Sequence, residues 1–225
     1  MNNLSRRLVA EALGTFMLVF FGCGAVIMNA FPGAQYNILG IALAHALALS
    51  IGVTLTMSIS GGHLNPAVTL GLMLGKRITP RDAATYIVVQ LLAAVVAVLV
   101  LKAFIPSGVA KTLAYGAPTL NTALTLPTAI MVEAVLTFIL VSAVYGTVIS
   151  PDAPKVAGFG VGLVLFFAII VGGPLTGAQL NPARAFGPAL VAKHWVAHIV
   201  WWIGPILGAV LAALLWEKVL LPKKS

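Results

Sequence analysis

Long apolar runs separated by short polar segments dominate the pattern of this chain of 225 residues. A helix that crosses a bilayer needs roughly 20 predominantly apolar residues. Six runs approach or exceed this length and predict membrane-spanning helices at about 8–30, 38–59, 83–105, 127–149, 156–172 and 197–221. Two shorter apolar segments, 66–75 and 182–192, are left over. We expect these two segments to form half-helices that enter the membrane without crossing it.

The composition and the charge distribution agree with this pattern. The chain is 60% hydrophobic and 8% charged, whereas soluble domains carry about 25% charged residues. The net charge of +8 does not form a nucleic-acid patch, because the basic residues follow membrane topology. With a cytoplasmic N-terminus, nine basic residues fall inside and three outside: Arg6, Arg7, Lys76, Arg77, Arg81, Lys155, Lys218, Lys223 and Lys224 against Lys102, Lys111 and Lys193. Both termini are therefore predicted to be cytoplasmic, with no nucleic-acid partner.

The N-terminal segment and the single cysteine narrow the class of protein further. A basic start followed by an apolar run could be a signal peptide, but its length and the later spans favour an uncleaved first helix. Cys23 alone permits neither an intramolecular disulfide nor a thiolate metal cluster, and we expect it to pack as a small apolar residue. We predict no cofactor and no metal. Short termini and compact loops favour a prokaryotic inner membrane.

The two halves of the chain resemble each other. Glu11 and Glu133 occupy equivalent places in the first and fourth spans, and Asn-Pro-Ala begins at both Asn65 and Asn181. Each half therefore contains three spans and one half-helix, and because three is odd the second half must be inverted. We predict a single membrane domain, 1–225, in which inverted repeats of about 1–105 and 123–225 are joined by a loop at 106–122.

The two Asn-Pro-Ala segments carry the chemistry. Asparagine is a good N-cap and proline suits the first position of a helix, so each segment starts a half-helix. In an inverted repeat the two N-termini meet near the middle of the membrane, where their positive ends repel cations. Each asparagine can donate an N–H to a passing oxygen, and a water oriented in this way cannot relay a proton. The motifs are Asn65, Pro66 and Ala67, and Asn181, Pro182 and Ala183.

These motifs, the flanking residues 63–69 and Arg184, and the Glu-x-x-x-Thr pattern of both halves resemble the aquaporin, or major intrinsic protein, family over nearly the whole chain. The resemblance implies an all-α membrane protein with six transmembrane helices and two re-entrant half-helices in an inverted repeat. It also implies a homotetramer in the lipid bilayer, with one pore in each subunit. The expected function is a passive channel for water that excludes protons and ions.

The resemblance places a selectivity filter near the outer mouth of the pore. Its expected members are His45, Ile169, Ala178 and Arg184. Water-selective relatives have Phe, His, a small residue and Arg, so this set is closer to certain plant tonoplast aquaporins and to the ammonia- and peroxide-permeable animal branch. Water should pass, and ammonia and hydrogen peroxide become further solutes. The alternative for His45 is a core histidine bonded to a backbone carbonyl. Ala178 stands where mercury-sensitive relatives hold a cysteine, which predicts weak mercury inhibition.

Other functions remain as alternatives. The nearest alternative is a channel whose main solute is ammonia, glycerol or another small neutral molecule. Glycerol is disfavoured because Ala185 and Ala189 replace an Asp and a basic residue of glycerol-conducting relatives. A secondary transporter would need ion-coupling residues, and Arg184 lacks an equivalent acidic partner. The motifs disfavour a structural junction protein, and an enzyme is least expected, since no nucleophile with an adjacent base, metal cluster or phosphate loop is present.

The remaining polar residues of the spans are interpreted as structural. Glu11 and Glu133 could form a proton relay, but their repeat-related positions favour carboxylates that accept backbone N–H groups of the half-helix loops. His63 is expected to fix its loop, and Gln90 could join that network. His194 and His198 are expected at the membrane interface, with pH gating as the alternative. The spacings Gly158-x-x-x-Gly162 and Gly204-x-x-x-Gly208 predict close helix packing.

Overall fold

The computed structural model describes residues 3–222, and its secondary structure there is entirely helical. The α-helices are α1 Asn3–Met28, α2 Asn37–Ser60, α3 Pro66–Leu74, α4 Pro80–Phe104, α5 Ser107–Thr112, α6 Leu126–Val144, α7 Phe159–Thr176, α8 Pro182–Ala192 and α9 Val200–Leu215. A 3-10 turn follows α5 at Ala114–Gly116, and π-helical turns extend α6 over Tyr145–Ile149 and α9 over Trp216–Leu220. Within this part of the chain, six helices are long and apolar enough to cross a membrane: α1, α2, α4, α6, α7 and α9. The predicted fold class is confirmed.

The ends of the helices differ from the ends of the apolar runs. The first helix begins at Asn3 rather than near residue 8, and α7 ends at Thr176 rather than near 172. Apolar runs mark the part of a helix that faces lipid, whereas caps decide where the helix ends. Thr79, for example, caps α4 by accepting the amide N–H of Asp82 at 3.1 Å. The short helix α5 lies in the segment predicted as a loop, and Lys223 and Lys224 lie outside the described residues.

The packing of helices has the same order in the two halves. In the first half α1 contacts α2 and α4, and in the second half α6 correspondingly contacts α7 and α9. The half-helix of each half packs on the last span of the other, α3 on α9 and α8 on α4, while α2 packs on α7. The inverted repeat therefore interlocks its halves, and both half-helices are enclosed by membrane-spanning helices.

Glycines allow two of these helix pairs to approach closely. A Cβ on Gly204 would lie 2.6 Å from the Cβ of Glu133, and one on Gly208 would overlap the carbonyl of Ala134, both on α6. Likewise, a Cβ on Gly158 or Gly162 would collide with α2. The Gly-x-x-x-Gly spacings thus lie at the α9–α6 and α7–α2 contacts, where only hydrogen fits.

Ion pairs connect helix ends at one face of the bundle. Arg7 near the start of α1 donates to Asp82 at the start of α4, at 2.8 Å. Arg77, after α3, binds Glu217 through two hydrogen bonds of 2.7 and 2.9 Å. The hydrogen bonds to Glu217 raise the pKa of Arg77. These contacts bring the start of α1 and the end of the last helix to the same face.

Candidate functional site

The two half-helices begin with the asparagine caps that their sequence predicts. Asn65 has an extended backbone, and its Oδ1 accepts the amide N–H of Ala67 at 2.8 Å. Asn181 is equivalent: its Oδ1 accepts the amide N–H groups of Ala183 at 2.9 Å and Arg184 at 3.2 Å. A proline occupies the first position of each helix, where a missing N–H costs no hydrogen bond.

The same asparagines join the two loops. The Nδ2 of Asn65 donates to the carbonyl of Leu180 at 2.8 Å, and the Nδ2 of Asn181 donates to the carbonyl of Leu64 at 2.9 Å. Leu64 and Leu180 have positive φ angles of 52° and 53°, which turn each loop into its half-helix. The two N-termini therefore abut, related by a reciprocal pair of hydrogen bonds. Each Nδ2 has a second hydrogen that these bonds do not use.

A buried carboxylate holds the first loop. Glu11 is fully buried and accepts the amide N–H groups of His63 at 3.0 Å and Leu64 at 2.7 Å. The Oγ of Ser60 donates to it at 2.6 Å, and the Nε2 of Gln90 donates to it at 2.8 Å. All of these groups are donors, so the carboxylate satisfies loop N–H groups that lipid cannot.

The second loop is held in the same way. Glu133 is fully buried and accepts the amide N–H groups of Gln179 at 3.0 Å and Leu180 at 2.8 Å. The Oγ1 of Thr176 donates to the carboxylate at 2.7 Å. The two glutamates therefore have matching partners in the two repeats, and both are occupied by loop donors rather than by each other.

His63 also belongs to the loop network. Its Nδ1 lies 3.2 Å from the Oγ1 of Thr69. That hydroxyl donates its one hydrogen to the carbonyl of Asn65 at 2.9 Å, so it can only accept from His63 and from Gln90. The His63 ring lies edge-on to Tyr86, with ring centroids 5.1 Å apart. The histidine thus connects its loop to the first turn of α3.

Arg184 and His45 form a second polar cluster beyond the half-helix junction. The Nε and Nη2 of Arg184 lie 3.3 and 3.2 Å from the Nε2 of His45, and Nη1 donates to the carbonyl of Gly116 at 3.0 Å. The His45 Nδ1 lies 2.8 Å from the carbonyl of Ile41, to which it donates its hydrogen. The imidazole is therefore neutral, with the Nε2 lone pair facing the guanidinium. His45 has the carbonyl partner of a core histidine and the arginine partner of a pore residue.

Two cavities meet at this cluster. The first, which we call the narrow cavity, has a volume of about 20 Å³, which is enough for one or two water molecules. Its lining residues include Asn65, Asn181 and Ala178. The second, the wide cavity, has a volume of about 180 Å³, and Ile169 is among its lining residues. Of the described residues, three line both cavities: His45, Gln179 and Arg184. The predicted filter residues thus divide, with Ile169 on the wide side and Ala178 on the narrow side.

Gln179 was not among the predicted site residues. The available signal was an amide side chain in an otherwise apolar loop, one residue after Ala178 and two before Asn181. The sequence does not predict Gly116 either, because this residue binds Arg184 through its backbone carbonyl, a group that every residue has.

The remaining candidates lie outside the cavities. Cys23 is fully buried and packs beside Gly116, whose Cβ, if present, would lie 3.0 Å from it. His198 lies in the turn before α9, against Trp195 and Trp201. Burial and the nearby His194 lower the pKa of His198 from 6.5. Over the described residues no cluster of three or more His, Cys, Asp or Glu side chains could hold a metal ion.

Comparison with known proteins extends over the whole membrane domain. A model of the major intrinsic protein family matches residues 1–216. The chain is 42% identical to aquaporin TIP4-4 of Zea mays over 94% of this chain and 85% of that protein, and 39% identical to the probable aquaporin TIP3-2 of Arabidopsis thaliana over 96% and 84%. Among solved structures, the X-ray structure of the aquaglyceroporin from Plasmodium falciparum is similar, with a TM-score of 0.83, 25% identity and 96% coverage of both chains.

Proposed function

Because the chain belongs to the major intrinsic protein family, we propose that it is a passive transmembrane channel for water. The observation that carries this proposal is the narrow cavity, which is wide enough for water and is lined by both half-helix asparagines. Flux through such a pore follows the osmotic gradient, so the channel needs no cofactor. Water would pass in single file between the spans of the two halves.

The exclusion of protons and ions follows from the same geometry. Two half-helix N-termini point at one another, and their partial positive charges disfavour any cation between them. The free Nδ2 hydrogens of Asn65 and Asn181 would both donate to the oxygen of a passing water. Such a water directs its own hydrogens away along the file and cannot accept a proton from its neighbour. The buried guanidinium of Arg184 adds a full positive charge further along the path.

The filter proposal combines the predicted residues with their positions. Arg184 and His45 would form the constriction between the two cavities, with Ile169 and Ala178 on either side of it. The guanidinium would be oriented by its bonds to His45 and Gly116, leaving its other N–H groups for the solute. Ammonia and hydrogen peroxide are proposed as further solutes, and a facilitator of ammonia, glycerol or another small neutral molecule is the alternative.

The first test is stopped-flow shrinkage of proteoliposomes in an impermeant osmolyte. We expect vesicles that contain the wild-type protein to shrink much faster than empty liposomes, and the activation energy of this shrinkage to be low. Arg184→Ala should admit larger solutes, and His45→Phe should narrow the constriction and slow the flux of solutes larger than water. Leu163→Met, a substitution of similar volume at an exposed position of α7 that lines neither cavity, serves as the control. Shrinkage equal to that of empty liposomes would contradict the water channel, and glycerol or ammonia uptake would then test the alternative.

We also propose a homotetramer. An apolar groove between α1 and α2 is lined by Met17, Phe21, Ala44, Leu47, Ala48 and Ile51. A second groove, between α6 and α7, is lined by Val135, Leu136, Ile139, Val164, Phe167, Ala168 and Val171. The two grooves occupy corresponding places in the two repeats but differ in their side chains. A ring of identical subunits needs two different contact surfaces on each chain, and we propose that these two apolar grooves belong to them.

The proposed topology places both termini in the cytoplasm. The excess of basic residues on that side supports it, as do the ion pairs of Arg7 and Arg77, which gather the start of α1 and the end of the last helix at one face. The protein is an integral, multi-pass membrane protein. The prediction of a prokaryotic inner membrane rests on short termini and compact loops alone, and the two plant relatives give it no support.

A further inference from the structure

Two aromatic side chains make equivalent hydrogen bonds behind the two Asn-Pro-Ala loops. The last residue of α2 is Ser60, and the hydroxyl of Tyr86 donates to its carbonyl at 2.9 Å. The last residue of α7 is Thr176, and the Nε1 of Trp201 donates to its carbonyl at 2.9 Å. Tyr86 lies on α4 and Trp201 on α9, which are the last spans of the two repeats. The inverted repeat therefore provides one aromatic donor for each loop.

The two carbonyls need these donors because of where they lie. The last carbonyls of a helix have no N–H partner within that helix. Gly61 and Gly177 follow them with φ angles of 92° and 79°, so the chain turns out of the helix directly afterwards. Lipid offers no donor, and the side chains of Tyr86 and Trp201 are only 0% and 1% exposed, so the two aromatic groups supply the bond from inside the bundle.

The residues that carry these carbonyls also hold the loop glutamates. The hydroxyl of Ser60 donates to Glu11 at 2.6 Å, and that of Thr176 donates to Glu133 at 2.7 Å. Each hydroxyl also accepts the amide N–H two residues further along, at 3.1 Å in the first loop and 3.2 Å in the second. A shift of either carbonyl would move its hydroxyl as well. The aromatic donors can therefore act on the loops through Ser60 and Thr176.

Tyr86 has a further partner that Trp201 cannot have. The Nε of Arg7 donates to the Tyr86 hydroxyl at 2.7 Å, and the guanidinium carbon lies 5.1 Å from the centroid of the ring. Since a guanidinium has no acceptor, the one hydrogen of the hydroxyl is left for Ser60. Arg7 also donates to Asp82 at 2.8 Å, and these two side chains are 24% and 22% exposed. A continuous chain of hydrogen bonds thus joins the first loop to the face of the bundle, whereas the indole of Trp201 has a single N–H and no acceptor.

We propose that Tyr86 and Trp201 are positioning residues of the pore, each of which fixes one Asn-Pro-Ala loop. Through Tyr86, the first loop also depends on the ion pair of Arg7 with Asp82. None of these four residues lines the narrow or the wide cavity, so they act on the water path only through the loops. A displaced loop moves its asparagine and the carbonyl that the opposite asparagine binds. This inference rests on the proposed channel function.

Hydrogen exchange of the two loops, measured by mass spectrometry in detergent, tests their positions directly. Tyr86→Phe removes only the hydroxyl, and we expect the amides of 61–65 to exchange about five-fold faster relative to those of 177–181, the usual effect of one lost hydrogen bond. Trp201→Phe removes the indole N–H and should instead accelerate the second loop relative to the first. Equal acceleration of both loops in both variants would indicate a general loss of stability and would overturn the inference.

Osmotic water permeability of proteoliposomes gives the functional consequence. We expect Tyr86→Phe to lower it about five-fold. Arg7→Met removes the donor to Tyr86 and the ion pair but leaves the bond to Ser60, so it should lower permeability only about two-fold. In a protein that already carries Tyr86→Phe, Arg7→Met should have no further effect, because the group through which it acts is gone. Arg7→Met is also the second variant should the Tyr86 protein fail to fold.

Tyr36→Phe is the matched control. The Tyr36 hydroxyl also donates to a helix carbonyl, that of Ala25 at 2.7 Å, but Tyr36 lines neither cavity, so this variant should change neither measurement. Unchanged permeability of the Tyr86 variant, additive losses in the double variant, or an equal loss in the Tyr36 variant would overturn the inference and leave the water channel intact. A wild-type protein without water flux would refute the proposed function, and the exchange of the two loops would still decide whether Tyr86 and Trp201 fix them.

Discussion

Each half-helix asparagine uses both ends of its side-chain amide. The oxygen caps its own helix, and the nitrogen crosses to the carbonyl of the opposite loop. Serine is as good an N-cap as asparagine but has no amide nitrogen to make the crossing bond. The two tasks of the residue can therefore be separated by substitution.

Asn65→Ser should keep the cap of α3 and lose the bond to Leu180. We expect a loss of about 1 kcal/mol in the free energy of unfolding, the usual value of one such bond, together with slower water flux. Thermal unfolding in detergent and vesicle shrinkage measure the two effects. Thr79→Ser, at the N-cap of α4, preserves a cap that has no crossing bond and should change neither. Equal effects of the two substitutions would contradict the role assigned to the crossing bond.

The loop glutamates allow a sharper comparison. A carboxamide at Glu11 or Glu133 would turn an NH₂ group toward N–H donors that now have an acceptor. We expect Glu11→Gln and Glu133→Gln each to lower the free energy of unfolding by about 2 kcal/mol, because buried donors lose their partners. Thermal unfolding of the purified variants checks this value.

Glu217→Gln is the matched control for these two substitutions. Its carboxylate pairs with Arg77, and both side chains are partly exposed, so we expect a loss of at most about 1 kcal/mol. The two loop variants should also resemble each other, because their partners match across the repeat. A proton relay would instead leave stability unchanged and alter proton flux.

At the scale of the elements, glycine decides how closely helices pack. The α6–α9 pair joins the first and last spans of the second half, and Gly208 lies where a side chain would overlap the Ala134 carbonyl. Backbone cannot move aside as a flexible side chain can. The contact therefore depends on the missing Cβ.

Gly208→Ala should separate α9 from α6 and lower the free energy of unfolding by about 2 kcal/mol, as overpacking commonly does. The melting temperature in detergent measures this loss. Gly108→Ala is the control, since a Cβ there would meet nothing within 4 Å and alanine favours the helix. A Gly208 variant with the same melting temperature as the wild-type protein would show that the two helices have room to adjust.

At the scale of the whole molecule, the proposed homotetramer makes the two apolar grooves the expected contacts between copies. We expect Leu47→Cys and Phe167→Cys, combined in one chain, to be joined between subunits by a short thiol-reactive cross-linker, giving a ladder that ends at the tetramer. Both side chains are exposed, at 47% and 62%, and belong to different grooves. The native Cys23 is buried and would be replaced by serine. Gel electrophoresis and native mass spectrometry give the oligomer size.

Leu92→Cys provides the control for cross-linking. Leu92 is 60% exposed on α4, which lines neither groove, and paired with Leu47→Cys it should give no closed ladder. A monomer in native mass spectrometry, or cross-links that do not depend on the groove, would contradict the proposed assembly.

The sequence by itself determined the six spans, the two half-helices, their asparagine caps and the loop glutamates. These features depend on local chemistry or on repetition: apolar length sets a span, an Asn-Pro pair starts a helix, and two copies of one pattern reveal an inverted repeat. They can be predicted from single segments of the chain. Arg184 stands out in the sequence as a charge inside the membrane, and the family resemblance added its filter partners, which no local pattern would have joined.

The tertiary structure alone decided which groups meet across the pore. The bonds of Asn65 to Leu180 and of Arg184 to Gly116 join residues 115 and 68 positions apart, and no local pattern encodes such distances. It also decided which way the side-chain amide of Gln179 points, because its nitrogen donates to the carbonyl of Gly177. Propensity and hydropathy act along the chain, whereas the direction of a polar group inside the pore is fixed by partners that folding brings together.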